Sequence, residues 1–388
     1  MFQHHLPMFL IVCGAAVIPF GARRLRVPSA ALEIIYGMLV FNFVLKGSPE
    51  WFVLLRELGL IYLMFVAGME LDIRSLLNSG RLFWYLLISL VSFTVTPLIF
   101  VFLGFPFYLG VTLAMVSAGI VIPVLKETAL IKKPLGQNII GVALTEELVS
   151  IVVLTLIDAF HKHGTIAGTL IELFKLVMLF ALALAVLKGM YLLAWWNPER
   201  VQKVMESDDP VEEGVRIVVT VAFAGGMLAV LAGAEAILGS FLMGVVFSSV
   251  FRSKGRFEEK INAIGFGFLI PFFFIGVGSD LDVRLLTSWN VVLLSCFLTL
   301  MVMVGHLAPV FLTRPLGISL QEAWGMTILL SAPLSMIVVA GTLGGRMGLL
   351  TPEIRDPLIL TALFSSILYP SLFRPLARKM AGARADSV

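Results

Sequence analysis

Thirteen apolar runs occupy most of the chain, near residues 6–22, 27–45, 52–70, 82–103, 106–125, 136–157, 167–190, 213–232, 235–251, 261–279, 289–313, 323–343 and 355–373. Each is 17 to 25 residues long, and a helix needs roughly 20 residues to cross about 30 Å of hydrocarbon. Thirteen such helices take up about 260 residues of the 388, leaving short loops and no room for a separate soluble domain. Composition agrees, with 59% of residues hydrophobic and 14% charged, against roughly 25% charged in soluble domains. The pattern predicts an all-α polytopic membrane protein whose main partner is the lipid bilayer. Cys13 and Cys296 both lie in apolar runs and suggest no disulfide framework. No small-residue cleavage pattern follows the first run, so it is expected to stay in the protein. There is no phosphate-binding glycine loop, metal-ligand spacing or nucleophile–base motif, and the basic residues follow the loops, so neither an enzyme nor a nucleic-acid binder is implied.

Basic residues set the orientation. With thirteen spans and the N-terminus outside, 21 of the 28 Lys and Arg residues fall on the inner side and five (Lys46, Lys162, Arg284, Arg346, Arg355) on the outer side. That asymmetry is the positive-inside signature of a multi-pass protein of the cell (inner) membrane, with a cytoplasmic C-terminus. The segment Gly68-Met69-Glu70-Leu71-Asp72-Ile73-Arg74 returns 210 residues later as Gly278-Ser279-Asp280-Leu281-Asp282-Val283-Arg284, and Ser117-Ala118 returns 214 residues later as Ser331-Ala332. Seven spans separate the two copies of the first motif, an odd number, so the two halves are predicted to be inverted repeats. That is the architecture of secondary transporters, whose site lies between the repeats near the midplane. We expect one transmembrane domain over residues 1–380. Repeat one covers about 1–160, a linker helix and loop about 165–212, and repeat two about 213–380, with 381–388 a short cytoplasmic tail.

Few polar residues lie inside the spans. Glu146 and Glu147 stand in the middle of the sixth, where two carboxylates are costly unless neutralised, paired or hydrated. Such acids point to a proton relay or a cation site, so a monovalent cation is expected at Glu146 and Glu147. The alternative is a protonated or salt-bridged pair that fixes helix packing. Neighbours on a helix are about 100° apart, so the two acids point different ways. The fifth span carries Ser117, Gly119 and Pro123, and the twelfth carries Ser331, Pro333, Ser335 and Gly341. Proline removes a helix donor, so both spans are predicted to break at midplane. Interrupted helices in corresponding positions mark a transport site, and their ends present dipoles to charge there. His306, in the eleventh span, is either a proton-handling group or a neutral histidine on a backbone carbonyl. Glu33 and Glu57 are read as structural acids, and Asp72 and Asp282 as caps or partners of Arg74 and Arg284.

At these residues the chain resembles the monovalent cation:proton antiporter superfamily, in the branch with glutathione-gated potassium-efflux and bacterial sodium/proton exchangers. The resemblance covers nearly the whole chain. Val27-Pro28…Leu32-Glu33-Ile34-Ile35-Tyr36-Gly37 is similar to the family's P-x-x-x-G-E-I-L-A-G helix, and Leu63 to Asp72 to its L-L-F-x-A-G-L-E-L-D signature. Leu125-Lys126-Glu127, the segment Ile237 to Gly244, and the segment Pro271 to Gly278 resemble L-K-E, L-G-A-F-x-A-G and P-x-F-F-x-x-V-G. The resemblance implies a sodium/proton antiporter-like fold with crossed discontinuous helices. It also implies a homodimer and a mobile core bundle that alternates access against a dimerisation bundle. By the family's acidic motif, Glu147 stands at the essential carboxylate and Glu146 at the residue before it. His306 aligns with the family's basic residue on the eleventh span.

The chain departs from the family pattern in places. Glutamates replace aspartates, a histidine replaces lysine or arginine, and the polar centres of the two broken spans shrink to Ser117-Ala118-Gly119 and Ala332-Pro333-Leu334-Ser335. Phe41-Asn42 replaces a terminal Gly-Pro on the second helix. The resemblance implies exchange of Na⁺ or K⁺ for protons by alternating access. Glu147 would be the shared ligand, Glu146 its co-ligand or partner, Thr145 and Ser117 oxygen donors, and His306 a charge balance. No cofactor is expected beyond the transported ions. Coupled symport of another small solute and a non-transporting membrane sensor are the alternatives. The potassium-efflux members carry C-terminal nucleotide-binding domains. This chain ends shortly after Met380, so any control of that kind is expected to come from elsewhere.

Overall fold

A computed structural model of the chain describes residues 2–25, 27–45, 47–70, 80–171, 213–231, 236–250, 256–284, 288–312 and 314–383, with scattered helical positions between 172 and 192. The helices are α1 (Phe2–Leu25), α2 (Ser29–Phe43), α3 (Glu50–Glu70), α4 (Leu82–Phe102), α5 (Phe107–Leu113), α6 (Ala118–Glu127), α7 (Pro134–His163) and α8 (Glu213–Leu231). They continue as α9 (Ala236–Val250), α10 (Arg256–Ile264), α11 (Ile270–Ser279), α12 (Trp289–Gly305), α13 (Ala308–Leu312), α14 (Leu320–Leu330), α15 (Leu334–Arg346) and α16 (Pro352–Ala383). A π-helical turn, Gly265–Leu269, joins α10 to α11. Among the described residues nine helices are long and apolar enough to cross a membrane, or ten with the bent pair α14–α15. The 15-residue α2 and α9 are also apolar. Twelve of the thirteen apolar runs are therefore helical. The run at 167–190 and the turn at 233–235 lie largely outside the described residues, as do Asp72 and Arg74.

The chain divides into two compact units: Met1–Phe20, Glu33–Ser75 and Thr155–Asp280, and Gly21–Leu32, Leu76–Leu154 and Leu281–Val388. In the first unit, the helices meet at glycines. A Cβ on Gly68 of α3 would collide with the Phe241 carbonyl oxygen of α9, and one on Gly244 of α9 with the Phe65 carbonyl oxygen of α3. The pattern recurs between α2 and α11, where Gly37 meets the Ile275 carbonyl and Gly278 meets the Ile34 carbonyl. Phe65 and Gly68 precede Ile275 and Gly278 by 210 residues, and Ile34 and Gly37 precede Phe241 and Gly244 by 207. One crossing is thus the other with the two halves exchanged, which is what a twofold internal repeat produces. Small residues at such points let backbones approach closely, the main source of helix association where lipid is as apolar as the side chains.

Aromatic packing fills the space around the crossings. Tyr62, Phe65 and Phe247 form one cluster with Val218, Ala222 and Ile261, and Phe52 and Phe272 a second with Ile11 and Ile275. Tyr62 donates its hydroxyl to the Ile261 carbonyl at 3.3 Å. At one end of this unit Arg56 lays its stem over Gly276 and pairs with Asp280 at 2.5 Å. Glu33 is buried in α2, and Glu57 is on the exposed side of α3.

In the second unit, hydroxyl-to-carbonyl bonds join the helices. Tyr108 of α5 donates to Ala340 of α15 at 2.7 Å, Tyr369 of α16 to Thr299 of α12 at 2.5 Å, and Thr361 of α16 to Ser295 of α12 at 3.2 Å. Arg374 of α16 pairs with Glu127, the last residue of α6, at 3.0 Å. The α14 helix starts with a capping box, Ser319 receiving the Glu322 amide while the Glu322 carboxylate receives the Ser319 amide. Gly68→Ala and Gly278→Ala are each expected to cost about 1–3 kcal/mol, because a backbone crossing has no side chain that can yield. Gly267→Ala, with no atom within 4 Å of its Cβ position, is expected to stay within about 0.5 kcal/mol of the parent. Thermal denaturation of the purified variants in detergent tests the contrast.

Candidate functional site

The α7 helix runs for 30 residues, which puts Glu146 and Glu147 about 18–20 Å from its start at 1.5 Å per residue. Both are buried, at 0% and 1% exposure. Their neighbours on α7 are turned back onto the helix: Thr145 donates to the Gly141 carbonyl at 2.7 Å and Ser150 to the Glu146 carbonyl at 2.6 Å. Thr145 thus keeps only its oxygen lone pairs for a ligand. Among the described residues neither carboxyl oxygen of Glu146 closes a hydrogen bond of good geometry. The Ser92 hydroxyl of α4 faces it.

Both predicted breaks are present. Between α14 and α15 the helix stops at Ser331, and the chain bends by 45° before Leu334. Pro333 explains this break, since it lacks an amide hydrogen and pushes Ala332 out of helical geometry. Between α5 and α6 the interruption covers 114–117, with Ser117 extended at φ −128°, ψ 113°. Here the prediction is corrected. Gly119 and Pro123 lie inside α6, not at the break, and no proline or glycine occupies 114–117. Ala114, Met115, Val116 and Ser117 are all buried. Ser117 occupies the N-cap position of α6 but makes no cap bond, because its hydroxyl bonds Ser335 of α15 at 2.5 Å. The two breaks therefore touch.

His306 marks a third interruption that the sequence reading missed. It ends α12 at φ −98°, ψ 23°, and α13 begins at Ala308. The signal was available in Gly305 before it and Pro309 after it. Two threonines meet the carbonyls at this break: Thr96 of α4 donates to Gly305 at 3.4 Å and Thr327 of α14 to His306 at 2.8 Å. The ring is fully buried, its Nδ1 donating to the Val302 carbonyl at 2.8 Å. Its Nε2 faces the Ala114 carbonyl at the first break but makes no bond of good geometry among the described residues.

The second unit thus brings together Ser117, Ser335, the Ala114 carbonyl and His306, and separately Glu146 with Ser92. Asp282 caps locally, receiving the Arg284 amide at 2.8 Å. Among the described residues no cluster of three or more His, Cys, Asp or Glu side chains is placed to hold a metal ion. The interrupted spans instead offer backbone dipoles and hydroxyl and carboxyl oxygens, the ligands of hard cations. A double-mutant cycle of Ser117→Ala and Ser335→Ala, read by thermal stability, is expected to return a coupling of about 0.5–1.5 kcal/mol for the buried hydroxyl pair.

The chain matches the profile of the family described as sodium/hydrogen exchanger, transmembrane, over residues 8–379. It is 27% identical to YjbQ of Bacillus subtilis, which carries a provisional Na⁺/H⁺ antiporter designation, over 96% of this chain but only 63% of that protein's length. It is 23% identical to the Na⁺/H⁺-K⁺ antiporter GerN of Bacillus cereus over 96% of each chain. In three dimensions it resembles the sodium proton antiporter MjNhaP1 of Methanocaldococcus jannaschii, with a TM-score of 0.69 over 98% of both chains at 17% identity. The fold of the antiporter, the apolar spans and the family match agree: the chain belongs to the transmembrane sodium/hydrogen exchanger family.

Proposed function

We propose that the chain is a secondary antiporter that exchanges a monovalent cation, Na⁺ or K⁺, for protons by alternating access. The observation that carries this reading is the pair of buried adjacent acids, Glu146 and Glu147, in the same compact unit as two interrupted spans joined at their breaks. Glu147 binds a proton or a cation but not both, and that competition couples the two fluxes. A proton gradient then drives the cation the other way once the site opens to one side at a time. Ser117 and Ser335 offer oxygens at the paired breaks, helix ends there offset charge, and His306 adjusts it. The names of YjbQ and GerN, a Na⁺/H⁺ and a Na⁺/H⁺-K⁺ antiporter, support both sodium and potassium as cargo.

The distribution of basic residues supports an inner-membrane protein with its N-terminus outside, and the family resemblance supports a homodimer. No resident cofactor enters this reading, since the cation and the proton are both cargo. Purified protein in liposomes with an imposed pH gradient is expected to dissipate that gradient on addition of Na⁺ or K⁺. Glu147→Gln is expected to fall to the level of empty liposomes, because an amide cannot exchange a proton for a cation. A gradient that neither ion dissipates, or an unaffected Glu147→Gln, would overturn the proposal.

A further inference from the structure

The interruption at His306 is packed against the other two. A Cβ built on Gly305, the last residue of α12, would lie 2.8 Å from Thr96 Oγ1 of α4 and 3.5 Å from the carbonyl oxygen of Leu113, the last residue of α5. The end of α12 therefore rests on the end of α5, where the first break begins. From another side, Thr327 of α14 donates its hydroxyl to the His306 carbonyl at 2.8 Å. Thr327 stands one turn before Ser331, where α14 stops, and its own carbonyl receives the Ser331 hydroxyl at 2.7 Å. The C-terminal ends of α5, α12 and α14 are thus linked to one another, and the Ser117–Ser335 bond ties the two crossed breaks among them.

These links are buried, with Thr96, Leu113, His306, Thr327 and Ser331 at most 2% exposed. The carbonyls of Val302, Met303 and Val304 accept from amides of the break itself. Those of Gly305 and His306 are met by side chains from other helices, Thr96 and Thr327. The Thr96 bond is long, at 3.4 Å, so Thr327 is the firmer hold on the break. A helix C-terminal end carries partial negative charge. The helix that continues past His306, α13, has five residues and a correspondingly small opposing dipole. The break therefore presents chiefly the C-terminal end of the 17-residue α12. At the crossed breaks the longer α6 and α15, of 10 and 13 residues, bring N-terminal ends that offset such charge.

We propose that Thr327 is a positioning residue for cation binding. It holds the C-terminal end of α12, at His306, beside the crossed breaks, so that this partial negative charge adds to the oxygens of Ser117 and Ser335. The proposal rests on the antiport reading above. It involves the protonation of no group, and no bond other than hydrogen bonds is made or broken.

The test sets Thr327→Val and Thr327→Ser beside the parent in two measurements, with NaCl and with KCl. In liposomes under an imposed pH gradient, the KM for the cation that the parent exchanges is expected to rise about three- to tenfold in Thr327→Val, the worth of one buried hydrogen bond. In Thr327→Ser, which keeps the hydroxyl, it should stay within about twofold. In detergent, the cation concentration that gives half of the protection against heating is expected to move by the same factors. A role confined to stability would lower the melting temperature and the amount of active protein and leave both concentrations in place. Should Thr327→Val yield no folded protein, Gly305→Ala is read the same way, since its methyl pushes Thr96 and Leu113 away from the same break.

An unchanged KM and unchanged protection in Thr327→Val would overturn the proposal, as would a serine variant that behaves like the valine. Protection against heating needs no ion movement. A parent that a cation protects but that dissipates no gradient therefore overturns the antiport reading, while Thr327 is still judged on binding. A parent that neither cation protects and that exchanges neither overturns both.

Discussion

A bilayer core offers no water to an interrupted helix, and the handling of that fact runs through the second unit. Among the described residues three spans break within it, and hydroxyls meet one of these breaks: Thr96 and Thr327 donate to the carbonyls at Gly305 and His306, while Ser117 spends its hydroxyl on Ser335 in place of capping its own helix. Irregular backbone at membrane depth is tolerated only where protein or a cavity supplies such partners. Other hydroxyls of these spans turn back onto their own helix, as Ser89, Thr112, Thr145 and Ser150 do. The buried acids carry the functional reading.

In the first unit helices cross at glycines, backbone against backbone, a pattern repeated once with the halves exchanged and surrounded by aromatic side chains. Close approach there adds dispersion to side-chain bonds such as Tyr62 to Ile261. In the second unit directional bonds join the helices, among them Ser117 to Ser335 at the two breaks. The carboxyl pair lies in this second unit.

Glu146 and Glu147 are adjacent in sequence and both buried. The helix sets them about 100° apart, and Ser92 of α4 supplies a hydroxyl facing Glu146.

Much of this was legible in the sequence. Apolar run length and charge scarcity determined the membrane class and the helices, because a helix of about 20 residues and its side-chain hydropathy are local properties. The echo of Gly68 in Gly278 revealed the repeat, and Pro333 located one break. The interruption at 114–117 was misplaced onto Gly119 and Pro123, since no residue in it breaks helices by its own chemistry. The break at His306 and the Ser92–Glu146 and Ser117–Ser335 pairings were decided only by the tertiary structure. Those partners are 54 and 218 residues apart, and a hydroxyl's choice among backbone, neighbour and ligand is made only when the helices pack.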